Sequence, residues 1–271
     1  MTDGGAGTGD EKPAAGIALA LVSFGSLAVM SALAKAAGAH ASVEVTVFVQ
    51  NVICFLLVAP FALRGGWAPL KTRRVGMHVF RALTGTAAWL ALFFALGLVP
   101  LTNAVLLTYS APIFLPMIAW VVGRQPIGGN IWVGVVLGFC GIALVLNPVA
   151  ASVGGGDILA LAGAIFLALA LLSVRWLGET EPTLRILFYY FGLSSIVMLP
   201  VALSNWRGPD GAGWIYLLGI GLTLMASQVF LIFAYRAASP VKLAPLIYSV
   251  IVFSALLDWA IWKRTPTWLE S

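Results

Sequence analysis

The sequence predicts an all-α membrane protein, an inverted repeat of five-helix units with nine transmembrane helices present and the tenth missing. Three observations lead to this expectation: an apolar composition, a series of apolar runs of bilayer length, and self-similarity at an offset of 139 positions. Of the 271 residues, 61% are hydrophobic and 9% charged, with a mean hydropathy of +1.01. A soluble domain carries charge on roughly a quarter of its residues. No water-soluble fold hides this much apolar surface.

A spanning helix takes about 20 apolar residues, because the hydrocarbon core is about 30 Å thick and a helix rises about 1.5 Å per residue. Residues 1–14 are polar, Gly-rich and mixed in charge, without the basic start and cleavage site of a secretory signal, and predict a disordered cytoplasmic tail. Apolar runs bounded by Gly, Pro and charge then place helices at 15–37, 43–63, 76–98, 101–123, 129–149, 157–177, 184–203, 213–235 and 241–262. Connections such as Val99-Pro100 and Gly123 to Gly128 are too short for a soluble domain. Function must therefore lie among the helices. Cys54 and Cys140 both fall inside apolar runs and read as small buried hydrophobes rather than a disulfide or metal site.

Lys and Arg are retained on the cytoplasmic side of short loops. The connection between the second and third helices holds Arg64, Lys71, Arg73 and Arg74, with Arg81 just inside the third helix, so that loop and the N-terminus are expected to be cytoplasmic. The same choice puts Lys12, Arg124, Arg175, Arg185, Arg236 and Lys242 inside, and Lys35, Arg207, Lys263 and Arg264 outside. The net charge of +5 is then a matter of topology, and no nucleic-acid partner is expected.

Sliding the chain by 139 positions lays Phe94-Ala95 on Phe233-Ala234, Tyr109-Ser110 on Tyr248-Ser249, Phe114 on Phe253, Trp120 on Trp259 and Arg124 on Lys263. A duplicated unit of five helices is odd in number, so its second copy inserts upside down; inverted repeats accompany alternating access around a midplane site. The offset also calls for a partner of the fifth helix, with its Gly134-x-x-x-Gly138 spacing, at about 268–288. The sequence ends at Ser271, so that helix is expected to be missing, through truncation or loss. The Gly spacing itself reads as close helix packing rather than a ligand site.

Phe48-Val49-Gln50-Asn51, His78-x-x-Arg81-Ala82, Ala95-x-x-x-x-Pro100-x-x-x-Ala104, Ser110-Ala111-Pro112, Gly134-x-x-x-Gly138-x-x-Gly141-x-x-Leu144 and Ala244-Pro245-Leu246-x-Tyr248 together resemble the EamA family of the drug/metabolite transporter superfamily. Within it the chain is similar to the S-adenosylmethionine uptake-type transporters. The resemblance implies ten helices, two EamA-like repeats (15–149 and a truncated 157–271) and a central cavity. The chain departs from the family pattern at Gln50, where Arg is frequent, and at Gly123-Arg124 and Trp262-Lys263-Arg264, where Gly-Glu is frequent.

A polar side chain in hydrocarbon costs free energy unless it finds a partner or a wet cavity, which makes the few intramembrane polar residues the candidates. Tyr109-Ser110 and Tyr248-Ser249 repeat near the middle of the fourth and ninth helices; they read as substrate-binding, or as hydroxyls that bond a neighbouring helix. Trp89 and Gln228 match under the offset and are substrate-binding candidates from opposite repeats, with packing as the plainer alternative. Tyr235, Asn103 and Thr108 are weaker. Arg81, three residues after His78, reads as a gating or coupling residue or as a side chain that snorkels to the interface. Asp258, the acid well inside an apolar helix, reads as a proton-coupling group or as half of an ion pair with Lys263 or Arg264.

Nothing supports an enzyme: the two His and ten acids form no nucleophile-base pair or metal cluster, and Gly154-Gly155-Gly156 lacks a P-loop Lys. No cofactor is expected. The expected partners are a small-molecule substrate and the lipid bilayer, with homodimerisation left open. The expected function is secondary transport of a small polar organic metabolite, such as an amino acid, a nucleoside-like compound or S-adenosylmethionine, across the bacterial inner membrane. The rival is a transport-inactive membrane protein or scaffold.

Overall fold

The computed structural model describes residues 13–123, 129–146, 153–238 and 243–263. Among them the chain is helical, with α1 (Pro13–Ala37), α2 (Val43–Ala62), a 3-10 turn (Ala68–Leu70), α3 (Val75–Leu96), α4 (Leu101–Thr108), α5 (Ala111–Gly123), α6 (Gly129–Leu146), α7 (Gly155–Gly178), α8 (Thr183–Ser204), α9 (Gly211–Ala237), a 3-10 turn (Ala244–Tyr248) and α10 (Ser249–Trp262). Seven segments are long and apolar enough to cross a bilayer, α4 and α5 together supplying one of them; α6 and the region Leu246–Trp262 are apolar but shorter.

The helix starts follow from local chemistry. Ser42 accepts from the Val45 amide ahead of α2, Asp210 from the Gly213 amide ahead of α9, and Asp157 from the Gly154 amide ahead of α7. Pro100 and Pro182 stand just before α4 and α8, where a missing N–H is harmless. The chain is helical from Pro13, the first described residue, so the end of the expected tail is already helical.

The expected continuous helix at 101–123 is instead interrupted at Tyr109-Ser110. Pro112 has no N–H for the Thr108 carbonyl four residues earlier, and its ring crowds that oxygen. The ninth expected helix departs in the same way, since Pro245 opens a 3-10 turn that becomes α-helical only at Ser249. Both Tyr-Ser pairs thus stand at helix discontinuities.

The main packing pairs are α1 with α9, α3 with α7 and α2 with α8; α10 lies against α1 and α4, and α5 against α7. Alanines let the axes approach: Ala20, Ala28, Ala32 and Ala34 of α1 and Ala160, Ala164, Ala168 and Ala170 of α7 are all buried. Large apolar side chains such as Leu56, Phe61, Ile196 and Ile215 face outward, the arrangement a lipid solvent requires.

Two expectations about α6 change. Among the described residues its main contact is with α5, and Cys140 is exposed whereas Cys54 is buried. Of the Gly134-Gly138 pair only Gly138 is a close contact: a Cβ there would come 2.6 Å from Ile113 Cδ1, while one at Gly134 would meet open space.

Candidate functional site

Residues Arg81, Gly85 and Trp89 recur every four positions and so form one ridge of α3. Tyr190 of α8 lies lengthwise along it. The Arg81 guanidinium stands 4.2 Å from the Tyr190 ring centroid, and the Trp89 indole N–H donates to Tyr190 Oη at 3.0 Å. Gly85 makes this fit possible, because a Cβ would come 2.6 Å from Tyr190 Cε2 and 2.9 Å from Arg81 Nη1. One turn further, Thr86 Oγ1 donates to Ser194 Oγ at 2.9 Å and locks α3 to α8.

The ridge leads to a cavity. The Trp89 and Phe93 rings meet at a tilt of 51° with centroids 5.9 Å apart, and Phe93 lines a vestibule of about 480 Å³ whose walls include Lys35, His40, Glu44, Thr46 and Arg207. Beside it His40 Nδ1 and Asp210 Oδ2 are 2.9 Å apart, and Ser42 donates to the Asn205 carbonyl at 3.2 Å, tying the α1–α2 loop to the α8–α9 loop. The Gly213 amide and then His40 hold the Asp210 carboxyl below its ordinary value.

At the opposite end the α2–α3 and α7–α8 connections are bound together. Glu181 Oε1 accepts from Thr72 at 2.6 Å and Oε2 from Arg185 Nη1 at 2.6 Å. Arg74 donates to the Trp176 carbonyl at 2.6 Å, Arg185 Nε to the Pro69 carbonyl at 2.5 Å, and Tyr189 to the Leu70 carbonyl at 3.0 Å. His78, 1% exposed, stacks at 4.6 Å on Tyr189 with Nε2 4.0 Å from Glu181. Burial alone would raise the Glu181 carboxyl, but the hydrogen bonds from Thr72 and Arg185 and the neighbouring charges hold it below the usual carboxylate range. A depressed value stabilises the closed end fully above the ordinary value of 4.5 and less as pH falls below it. Glu181→Gln is therefore expected to weaken this latch by about 1.5–3 kcal/mol at neutral pH. Amide exchange in residues 69–76 and 177–186 would report it; unchanged protection there would show that the carboxylate holds nothing.

The other sequence candidates are dispersed. Tyr109 is buried among apolar neighbours, and Ser110 donates to the Leu107 carbonyl of its own helix. Tyr248 is 46% exposed, and the Ser249 hydroxyl is buried without a partner. Gln228 is half-buried on α9, next to Ser227, which bonds Ser23 of α1 at 3.0 Å. Asp258 forms no ion pair with Lys263: its Oδ2 accepts from the Thr102 amide at 3.1 Å and the Thr102 hydroxyl at 3.2 Å, while Lys263 leans on the Trp259 ring. The reason is position, since Asp258 faces the bare N–H groups that open α4. Thr108 donates to the Ala160 carbonyl at 3.3 Å. Arg124 and Arg264 and the side chain of Tyr235 lie outside the described residues.

Tyr190 and the α2 amides are the residues that sequence reasoning missed. Gln50 is wholly buried with neither amide atom partnered, and Asn51 donates to Val47 while its Oδ1 has no donor. A signal was present, since the 139 offset carries Asn51 onto Tyr190 just as it carries Trp89 onto Gln228.

Comparison with known proteins agrees with this architecture. The model of the EamA-like transporter family matches residues 14–147 and again 154–270. The chain is 28% identical over 254 residues to the pseudopaline exporter CntI of Pseudomonas aeruginosa, covering 93% of this chain and 89% of that one. It is 25% identical to the S-adenosylmethionine uptake transporter of Rickettsia prowazekii, over 93% of this chain and 85% of the relative. It is 26% identical to the riboflavin transporter of Vibrio cholerae, over 80% and 74%. A solved chain described only as a crystal structure of protein aligns over 92% of this chain and 91% of its own with a TM-score of 0.60 at 22% identity, a likeness of fold. These three relatives are named for transport, none for catalysis, and with the family model matched twice along its length the chain belongs to the EamA-like transporter family.

Proposed function

We propose that the chain is a secondary transporter that moves a small polar organic metabolite across the bacterial inner membrane by alternating access, its two halves forming an inverted repeat. The observation that carries this proposal is the line of side chains running from the vestibule through Phe93, Trp89 and Tyr190 to Arg81, between loops tied at both ends. The packing supports two matched halves: under the 139 offset α1 corresponds to α7 and α3 to α9, so the α1–α9 pair is the counterpart of α7–α3, and α2–α8 of itself. The breaks at Tyr109 and Tyr248 correspond as well. Rocking one half against the other would release one tied end while closing the second.

Trp89, Gln228 and the Tyr-Ser pairs Tyr109-Ser110 and Tyr248-Ser249 are the proposed substrate contacts, with Arg81 and Asp258 as coupling or structural supports. The bonds of Arg74 and Arg185 across the α2–α3 and α7–α8 connections support a cytoplasmic placement of that end, and of the N-terminus. The two family matches, over 14–147 and 154–270, support the proposed division into repeats at 15–149 and 157–271.

Counterflow in proteoliposomes tests the proposal. Saturable exchange of S-adenosylmethionine, riboflavin, an amino acid or a nucleoside is the expected result. Its absence from a folded sample across that panel would favour a transport-inactive membrane scaffold.

A further inference from the structure

Arg81 is a cation placed within an apolar helix, and its Nε is buried without an acceptor. A ring face offsets only part of the cost of withdrawing a guanidinium from water. An acid would normally supply the rest, yet the described acids are occupied elsewhere. Glu181 is held by Thr72 and Arg185, Asp258 by Thr102, and Asp210 by Gly213 and His40. Asp157 caps its own helix, Glu179 is exposed and Glu44 lines the vestibule. The remaining four, Asp3, Asp10, Glu11 and Glu270, lie outside the described residues.

The surroundings hold Arg81 in place rather than neutralise it. Tyr190 cannot swing off the guanidinium without giving up its bond from Trp89, and Gly85 leaves the ring just enough room to lie flat on the ridge. The vestibule at the other end of the ridge carries Lys35, Arg207 and Glu44, with the Asp210 carboxylate beside it on His40.

We infer that Arg81 receives a carboxylate of the transported substrate, and that the site selects metabolites bearing a carboxylate over their neutral analogues. The inference rests on the transporter proposal above. A guanidinium presents paired N–H donors that match the two oxygens of a carboxylate. One cation also matches one negative charge. A phosphate monoester carries nearly two and would need a second cation, whereas Arg185 is committed to Glu181 and Pro69, and Arg74 to Trp176.

Counterflow in vesicles of phosphatidylcholine alone, where no anionic headgroup competes, tests it with acid and amide forms of the same compounds: S-adenosylmethionine and its carboxamide, N-acetylmethionine and N-acetylmethioninamide. Riboflavin serves as a probe without a carboxylate and its 5′-phosphate as the phosphate form. The expected preference for acid over amide is roughly ten- to a hundredfold. Arg81→Gln should bring the ratio near one, and Tyr190→Phe, which keeps the ring face, should retain most of it. Should Arg81→Gln fail to fold, the wild-type ratio and Arg81→Lys, which keeps the charge but loses the fork, decide instead. Equal transport of acid and amide by the wild type, an unchanged ratio in Arg81→Gln, or a preference for the phosphate would each overturn the inference while leaving a working transporter. Transport of nothing at all would instead bring down the transporter proposal itself.

Discussion

Gly85→Leu is expected to abolish counterflow and to lower the stability of the detergent-solubilised protein by about 1–3 kcal/mol, the usual cost of overpacking a filled interior. Even one added carbon at this position would stand 2.6 Å from Tyr190 Cε2, 2.9 Å from Arg81 Nη1 and 3.0 Å from Tyr190 Oη. Those contacts are with side chains, so the ring and the guanidinium must move, and with them goes the Trp89 bond. Gly85→Ala should therefore show an intermediate loss of transport. Gly134→Ala is the control: among the described residues nothing lies within 4 Å of an added Cβ there, so the substitution should leave transport unchanged and gain up to about 1 kcal/mol of helix propensity. Thermal unfolding followed alongside uptake separates the two effects. Wild-type uptake by Gly85→Leu would show that the α3 ridge is packing alone.

Asp258→Ala should destabilise the bundle by about 1–2 kcal/mol, because it strips the cap from the start of α4. The carboxylate reaches across from α10 to the Thr102 amide and hydroxyl, a side-chain cap supplied by a different helix. Asp258→Asn keeps an oxygen for the same N–H and should behave nearly as wild type in both stability and transport. The pair of substitutions distinguishes a cap from a proton carrier. If Asp258→Asn folds with unchanged stability yet no longer transports, the carboxylate titrates during the cycle and its capping role is secondary.

Much of the helical layout could be read from the sequence, because hydrocarbon leaves little choice: a backbone that cannot bond to water must bond to itself. Each expected apolar range contains described helix, and the positions of Pro100 and Pro182 fix where α4 and α8 start. The interruption at Tyr109-Ser110 was also written in the chain, in Pro112, but a long apolar run conceals it. The site was harder to read. Trp89 and Arg81 stood out as polar groups in apolar surroundings, whereas Tyr190 sits in a Phe-Tyr-Tyr-Phe stretch where any of four rings would look alike. Which of them meets α3 depends on how α8 is turned about its axis. Asp258 was visible as an anomaly, but its partner was not, because a backbone N–H carries no sequence signature.

The ties at both ends share a property that bears on how this chain tolerates change. Arg74, Arg185, Tyr189 and Ser42 all donate to main-chain carbonyls, those of Trp176, Pro69, Leu70 and Asn205. A peptide oxygen survives any substitution at its own residue, so positions 69, 176 and 205 can drift in side chain while the clasp endures, whereas Leu70 is also held by its burial in the core. The four donors enjoy no such freedom, and mutational tolerance should be lopsided across each clasp.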